Sequence, residues 1–109
     1  MIISKLGKYL YIKPDKNNTH ELELYFSSVS KITFSIIDLE KININEEGVL
    51  ESLIKINNHL NIKNKSCVFV KQVSIDEIES SDLVFLPTIK EAKDFLSMDE
   101  IERDLINQQ

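Results

Sequence analysis

Two short runs, Ile36-Ile37-Asp38-Leu39 and Cys67-Val68-Phe69-Val70, are apolar at nearly every position, and between them lies a segment with a different period. There Val49, Leu53, Ile56 and Leu60 recur at spacings of four, three and four, with Leu50 and Ile54 widening the stripe. A run of four apolar, β-branched-rich residues suits a strand covered on both faces, whereas the intervening spacing is that of an amphipathic helix. A helix between two buried strands implies a crossover, and right-handed crossovers make the strands they join parallel. This pattern predicts an α/β chain.

The rest of the sequence extends the alternation. In residues 2–13, Gly7-Lys8 separates two short apolar runs, as a hairpin turn would, and Pro14 with Asp15, Asn17 and Asn18 ends the second run. The next stretch carries two periods. Leu22, Leu24 and Phe26 alternate as in a strand, while Leu22, Tyr25, Phe26 and Val29 follow helical spacing; Asn18 with Glu21 resembles a capping box and favours helix. Residues 32–39 form the following strand. Asn45 is placed to cap the helix over Val49 to Leu60, which polar residues 61–65 end. Ser74 to Glu77 is a capping box for a short helix ending near Glu79, and residues 82–86 are the next strand. Thr88 and Glu91 open the last helix with another capping box. Its residues Ile89, Ala92 and Leu96 form one stripe and Met98, Ile101 and Leu105 another, and Ser97 with Glu100 fits a bend or a separate final helix.

The expected architecture is a single domain over residues 1–109. Its sheet is mixed, of about five strands with an N-terminal hairpin followed by parallel strands, and carries about four helices. No apolar run reaches the roughly 18 residues that span a bilayer, and Lys5 interrupts the N-terminus too early for a secretory leader, so a cytoplasmic protein without membrane insertion is expected. A single cysteine, Cys67, agrees with a reducing compartment. A net charge of -5 argues against nucleic acid as the main partner, because binding a polyanion depends on lysine and arginine contacts that release counterions.

The chemistry-bearing residues are sparse. His20 and His59 belong to no metal-ligand spacing, and their simplest places are the start of the first helix and the polar side of the second. Cys67 lies in an apolar strand, where an inert buried thiol is expected. Gly7 and Gly48 are the only glycines, so neither a dinucleotide-binding turn nor a Walker loop is present. No cofactor is expected. Acidic residues near Glu46, Asp76 and Asp99 fall at predicted helix starts, where carboxylates offset the positive end of the helix dipole.

With that order of elements, the sequence resembles the STAS family, which includes anti-sigma-factor antagonists and cytoplasmic domains of sulfate transporters. The resemblance spans nearly the whole chain. Its anchors are Ile36-Ile37-Asp38-Leu39, similar to a family strand ending in Asp-Leu, the segment Asn45-Glu46-Glu47-Gly48-Val49-Leu50, and the closing Leu86-Pro87-Thr88-Ile89-Lys90-Glu91-Ala92. In antagonists the loop before the second helix resembles Asp-Ser-Ser-Gly, and phosphorylation of its second serine controls docking on a kinase-like anti-sigma factor. Aligning the glycine with Gly48 puts Asn45 at the aspartate, Glu46 at the first serine and Glu47 at the phosphoacceptor. Glu47 has no hydroxyl to phosphorylate and carries one charge against roughly -1.5 to -2 for phosphoserine. The loop is therefore either fixed in something like the modified state or has lost the switch, and helix capping by the glutamates favours loss.

The resemblance implies a non-catalytic regulatory module that docks another protein through Asn45, Glu46, Glu47 and Gly48, with a homodimer as a further expectation. The alternative is a small hydrolytic or nucleotide-handling enzyme using strand-end carboxylates such as Asp38 and Asp82. The ending from Phe95 to Leu105 also resembles short bacterial proteins labelled ribonuclease Z. That label does not fit the chemistry, since two isolated histidines cannot hold a pair of catalytic metal ions.

Overall fold

A computed structural model describes residues 1–16, 18–74 and 82–107. Its elements are β1 (Ile2–Leu6), β2 (Tyr9–Lys13), α1 (Thr19–Ser28), β3 (Ser35–Asp38), α2 (Val49–Ile62), β4 (Cys67–Val70), β5 (Phe85–Leu86) and α3 (Ile89–Asn107). The chain is α/β, with one five-stranded mixed sheet in the order β1-β2-β3-β4-β5. β1 and β2 are antiparallel and the remaining neighbours are parallel.

Gly7 sits at φ +63° and supplies the positive φ that a two-residue hairpin loop needs, so that Leu6 faces Tyr9 and the hairpin keeps register to Ile2 and Lys13. The apolar runs are continuous because both faces of the sheet are covered. Ile12, Ile37, Cys67 and Phe69 pack with Leu22 and Phe26 of α1 and Leu53, Ile56 and Leu60 of α2. Their neighbours Tyr9, Ile36, Val68 and Val70 turn the other way, onto Ala92 and Leu96 of α3. Alternation of period two thus distributes one apolar run between two cores. Burying a Leu, Ile or Phe fully is worth roughly 1.5–3 kcal/mol, and seven of these side chains are completely inaccessible on the α1/α2 side.

Helix boundaries agree with the capping signals at two ends. The Asn18 side chain accepts from Glu21 N at 3.4 Å, which resolves the ambiguous stretch as helix. Thr88 Oγ1 accepts from Glu91 N at 3.1 Å, capping the start of α3, and its hydroxyl donates to the Glu91 carboxylate.

Elsewhere the structure corrects the expectation. The strand expected over residues 32–39 is limited to Ser35–Asp38, and that over 82–86 to Phe85–Leu86. α2 starts at Val49 with Gly48 as its N-cap, at φ +85° and with no side-chain cap bond, so Asn45 is not the capping residue. The backbone between them turns back first: Asn43 Oδ1 accepts from Asn45 N at 3.0 Å, and Glu46 N donates to Asn43 O at 3.2 Å. α3 runs through Ser97 without a break, so Ser97 caps no separate helix; Ala92, Leu96, Asp99 and Arg103 keep one side of it against the sheet throughout. The described helices number three. The short helix expected from Ser74 to Glu79 lies, beyond Ser74 itself, outside the described residues.

Candidate functional site

The parallel strands β3, β4 and β5 end together, with Asp38, Val70 and Leu86 on one rung. In open parallel sheets the carboxyl ends of the strands are where connecting loops leave room for a ligand or partner. Here that end carries a cleft of about 450 Å³, lined by Asp38, Glu40, Lys71, Gln72 and Thr88 among others. A shallower hollow of about 370 Å³ adjoins it and shares Glu40, Lys71 and Gln72, with Ile42 and Asn45 on its far side.

Asp38 is the only buried ionisable carboxylate among the described residues, at 8% exposure. Its two oxygens are held separately. The Tyr11 hydroxyl donates to Oδ2 at 2.6 Å, and Glu40 N donates to Oδ1 at 3.1 Å, an Asx turn that bends the chain off the strand. Burial holds the Tyr11 phenol well above its ordinary range, and the Asp38 carboxylate that accepts its hydrogen bond pushes the same way. Lys71 Nζ reaches across to Leu39 O at 3.1 Å, and Leu39 N donates to Val70 O, so the departing loop is tied to β4. Lys13 pairs with Glu40 at 3.1 Å on the rim.

Beyond Glu40 the chain is pinned twice more. Ile42 and Ile44 are buried at 1% and 4%, and Val49 is buried at the head of α2. Between these anchors residues 45–48 are all exposed. Val49 N donates to Glu46 O at 3.2 Å, and Gly48 takes the left-handed conformation that turns the loop into the helix. The four expected docking residues therefore do form one contiguous exposed turn. Glu46 and Glu47 stand on it, ahead of the helix rather than within its first turn.

The two strand-end carboxylates named for the enzymatic alternative, Asp38 and Asp82, lie apart. Asp38 closes the C-terminal end of β3, whereas Asp82 is exposed and precedes Phe85, at the opposite end of the parallel strands. Cys67 is buried, and desolvation pushes its thiol up to about 12, which keeps it protonated and unreactive at neutral pH. His20 is exposed in the first turn of α1, and His59 lies in the last turn of α2. Among the described residues no three side chains of metal-binding type converge, and no helix is long and apolar enough to cross a membrane.

Local spacing does not single out Tyr11 and Lys71 at the cleft, or Arg103 at the opposite end of the strands. For Tyr11 and Lys71 the partner is brought in by strand pairing, which no local spacing announces. Arg103 did carry a signal, as the single arginine among twelve lysines and four residues after Asp99. No protein-family model matches the chain, and no curated protein matches it.

Proposed function

We propose that this protein is a non-catalytic regulatory module that docks another protein through the exposed turn of residues 45–48 and the adjoining start of α2. On this reading it acts in the cytoplasm as a STAS-like domain similar to the anti-sigma-factor antagonists, with a kinase-like regulator as the class of partner that the resemblance implies. The observation that carries the reading is the preformed turn itself. It is exposed along four consecutive residues yet anchored by buried Ile42, Ile44 and Val49, so docking would not have to order a floppy segment.

Glu47 stands where the resemblance puts the phosphoacceptor, and its carboxylate supplies a permanent charge in place of a switchable one. For the rival reading, a small hydrolytic or nucleotide-handling enzyme using strand-end carboxylates, Asp38 is already bound by Tyr11 and the Glu40 amide, and Asp82 lies at the opposite end of the strands. Quantitative affinity capture from the native host with the wild type and Glu47→Lys as paired baits tests the proposal. A specific protein retained by the wild type and lost from the folded variant is expected. Equal capture by both baits, or substrate turnover abolished by Asp38→Asn in a folded variant, would overturn it.

A further inference from the structure

β2, β3 and β4 begin side by side, and a hollow of about 160 Å³ opens among the residues at that end of the sheet. Its floor is made of the Tyr9 and Phe34 rings, both buried. Lys8, Lys31 and Lys65 stand around it, with Glu100 as the one carboxylate. Two of the ammonium groups are held in place. Lys8 Nζ lies 5.7 Å from the Tyr9 ring centroid and is bonded to Glu100, and Lys65 Nζ lies 5.1 Å from the centroid of Phe34. Lys65 is aimed by its backbone. The preceding Asn64 takes φ +60° and accepts from Arg103 at 2.9 Å, and Lys65 N donates to Leu60 O at 3.0 Å, so α2 ends in a fixed left-handed turn.

Among the described residues neither Lys31 nor Lys65 has a carboxylate partner. Three cations thus face one carboxylate, in a chain whose net charge is -5. Just outside, Lys5 shares a neighbouring hollow with Lys31, and Asp104 acts on Lys8. These add one charge of each sign, and the surplus stays positive. Ammonium groups that converge without a counter-charge repel one another, and an anion seated between them reverses the sign of that interaction.

Size and charge narrow the anion. A cavity of about 150 Å³ holds a molecule the size of benzene, so the hollow accommodates one tetrahedral anion and not a nucleoside. A carboxylate brings one charge and two oxygens, whereas a phosphate group brings roughly -1.5 to -2 and three acceptor oxygens, one for each lysine. We infer that the hollow over Tyr9 and Phe34 binds a phosphate group through the ammonium groups of Lys8, Lys31 and Lys65. The site is separate from the 45–48 turn, which follows the C-terminal end of β3.

The test is an amide NMR titration of the full chain, at neutral pH and constant low ionic strength, with inorganic phosphate, glycerol 3-phosphate and acetate. Both phosphates should give saturable shifts centred on residues 31–34 and 65, and acetate should bind at least about tenfold more weakly. Tighter glycerol 3-phosphate would assign the hollow to phosphate monoesters, and tighter inorganic phosphate to the free ion. Lys31→Gln, at an exposed position, and Lys65→Gln should each weaken phosphate about tenfold, and Glu100→Gln should tighten it about threefold. Lys90→Gln, an equal loss of charge at the start of α3, should leave it unchanged. Equal affinity for acetate and phosphate, shifts that do not saturate, weakening by Glu100→Gln, or a loss at Lys90→Gln that matches Lys31→Gln overturns the inference.

Discussion

The two ends of the parallel strands are built on opposite terms. At the N-terminal end, Ser66 before β4 is buried, and Arg103 reaches it from α3 while also binding Asn61 and Asn64 at the end of α2. Five hydrogen bonds from one guanidinium join the last helix, the end of the second helix and the head of a central strand, and the polar groups there are spent on one another. At the C-terminal end, Asp38 is also buried and also held, by Tyr11 and the Glu40 amide, but Glu40, Lys71, Gln72 and Thr88 surround an open cleft. The difference teaches how a small α/β chain deploys its polar groups: one end is locked by a polar clamp beside a smaller hollow of about 160 Å³ at Tyr9, Phe34 and Lys65, and the other offers polar groups and an exposed turn to something outside.

The sharpest way to break that contrast is Arg103→Ala. Losing a half-buried guanidinium with several charge-assisted bonds, and leaving Asp99 without its cation, should cost about 2–3 kcal/mol and lower the melting temperature by about 10 °C or more in calorimetry. Arg103→Lys should recover only part of the loss, because an ammonium cannot span Asn61, Asn64 and Ser66 together. At the open end the effects should be smaller. Gly48→Ala should cost about 1 kcal/mol in urea unfolding; nothing lies within 4 Å of the added methyl group, so the cost is that of the left-handed backbone alone. Tyr11→Phe should cost about 1 kcal/mol or less, since Asp38 keeps its backbone donor and some access to water.

Tyr11 also predicts a pH dependence. Its phenol is held above the ordinary tyrosine value of about 10, so the native chain retains this proton where the unfolded chain has released it. The stabilisation is therefore complete below about pH 10 and is lost as pH rises further. An ultraviolet titration should show a late-ionising phenol that Tyr11→Phe removes, and a phenol count unchanged by that variant in the late phase would contradict the burial argument. Smallest of all, Glu47→Lys should move stability by less than about 0.5 kcal/mol, since the side chain is exposed.

Much of this architecture is legible from periodicity. The runs around Ile36 and Val68 announce strands covered on both faces, and the spacing from Val49 to Leu60 announces the helix between them, because burial imposes those periods directly. Capping at Asn18 and Thr88 is equally local. The start of α2 is not: Asn45 is a good capping residue by type, but the left-handed Gly48 and the turn closed by Asn43 move the helix start three residues on. The exposed turn at residues 45–48 was readable as a segment, whereas the cleft beside it was not. Its floor joins Tyr11 to Asp38 and Lys71 to Leu39 across sequence separations of 27 and 32, contacts created only by strand order. Both stripes of α3 are visible as spacings, but only packing decides that Ala92 and Leu96 face the sheet.

The central claim, docking through a preformed turn, is tested most directly by amide hydrogen exchange on the full chain, alone and with the partner captured by the wild-type bait. New protection confined to residues 42–51, absent when Glu47→Lys replaces the wild type, is the predicted result. Protection that leaves those residues unchanged while the partner is bound would contradict it.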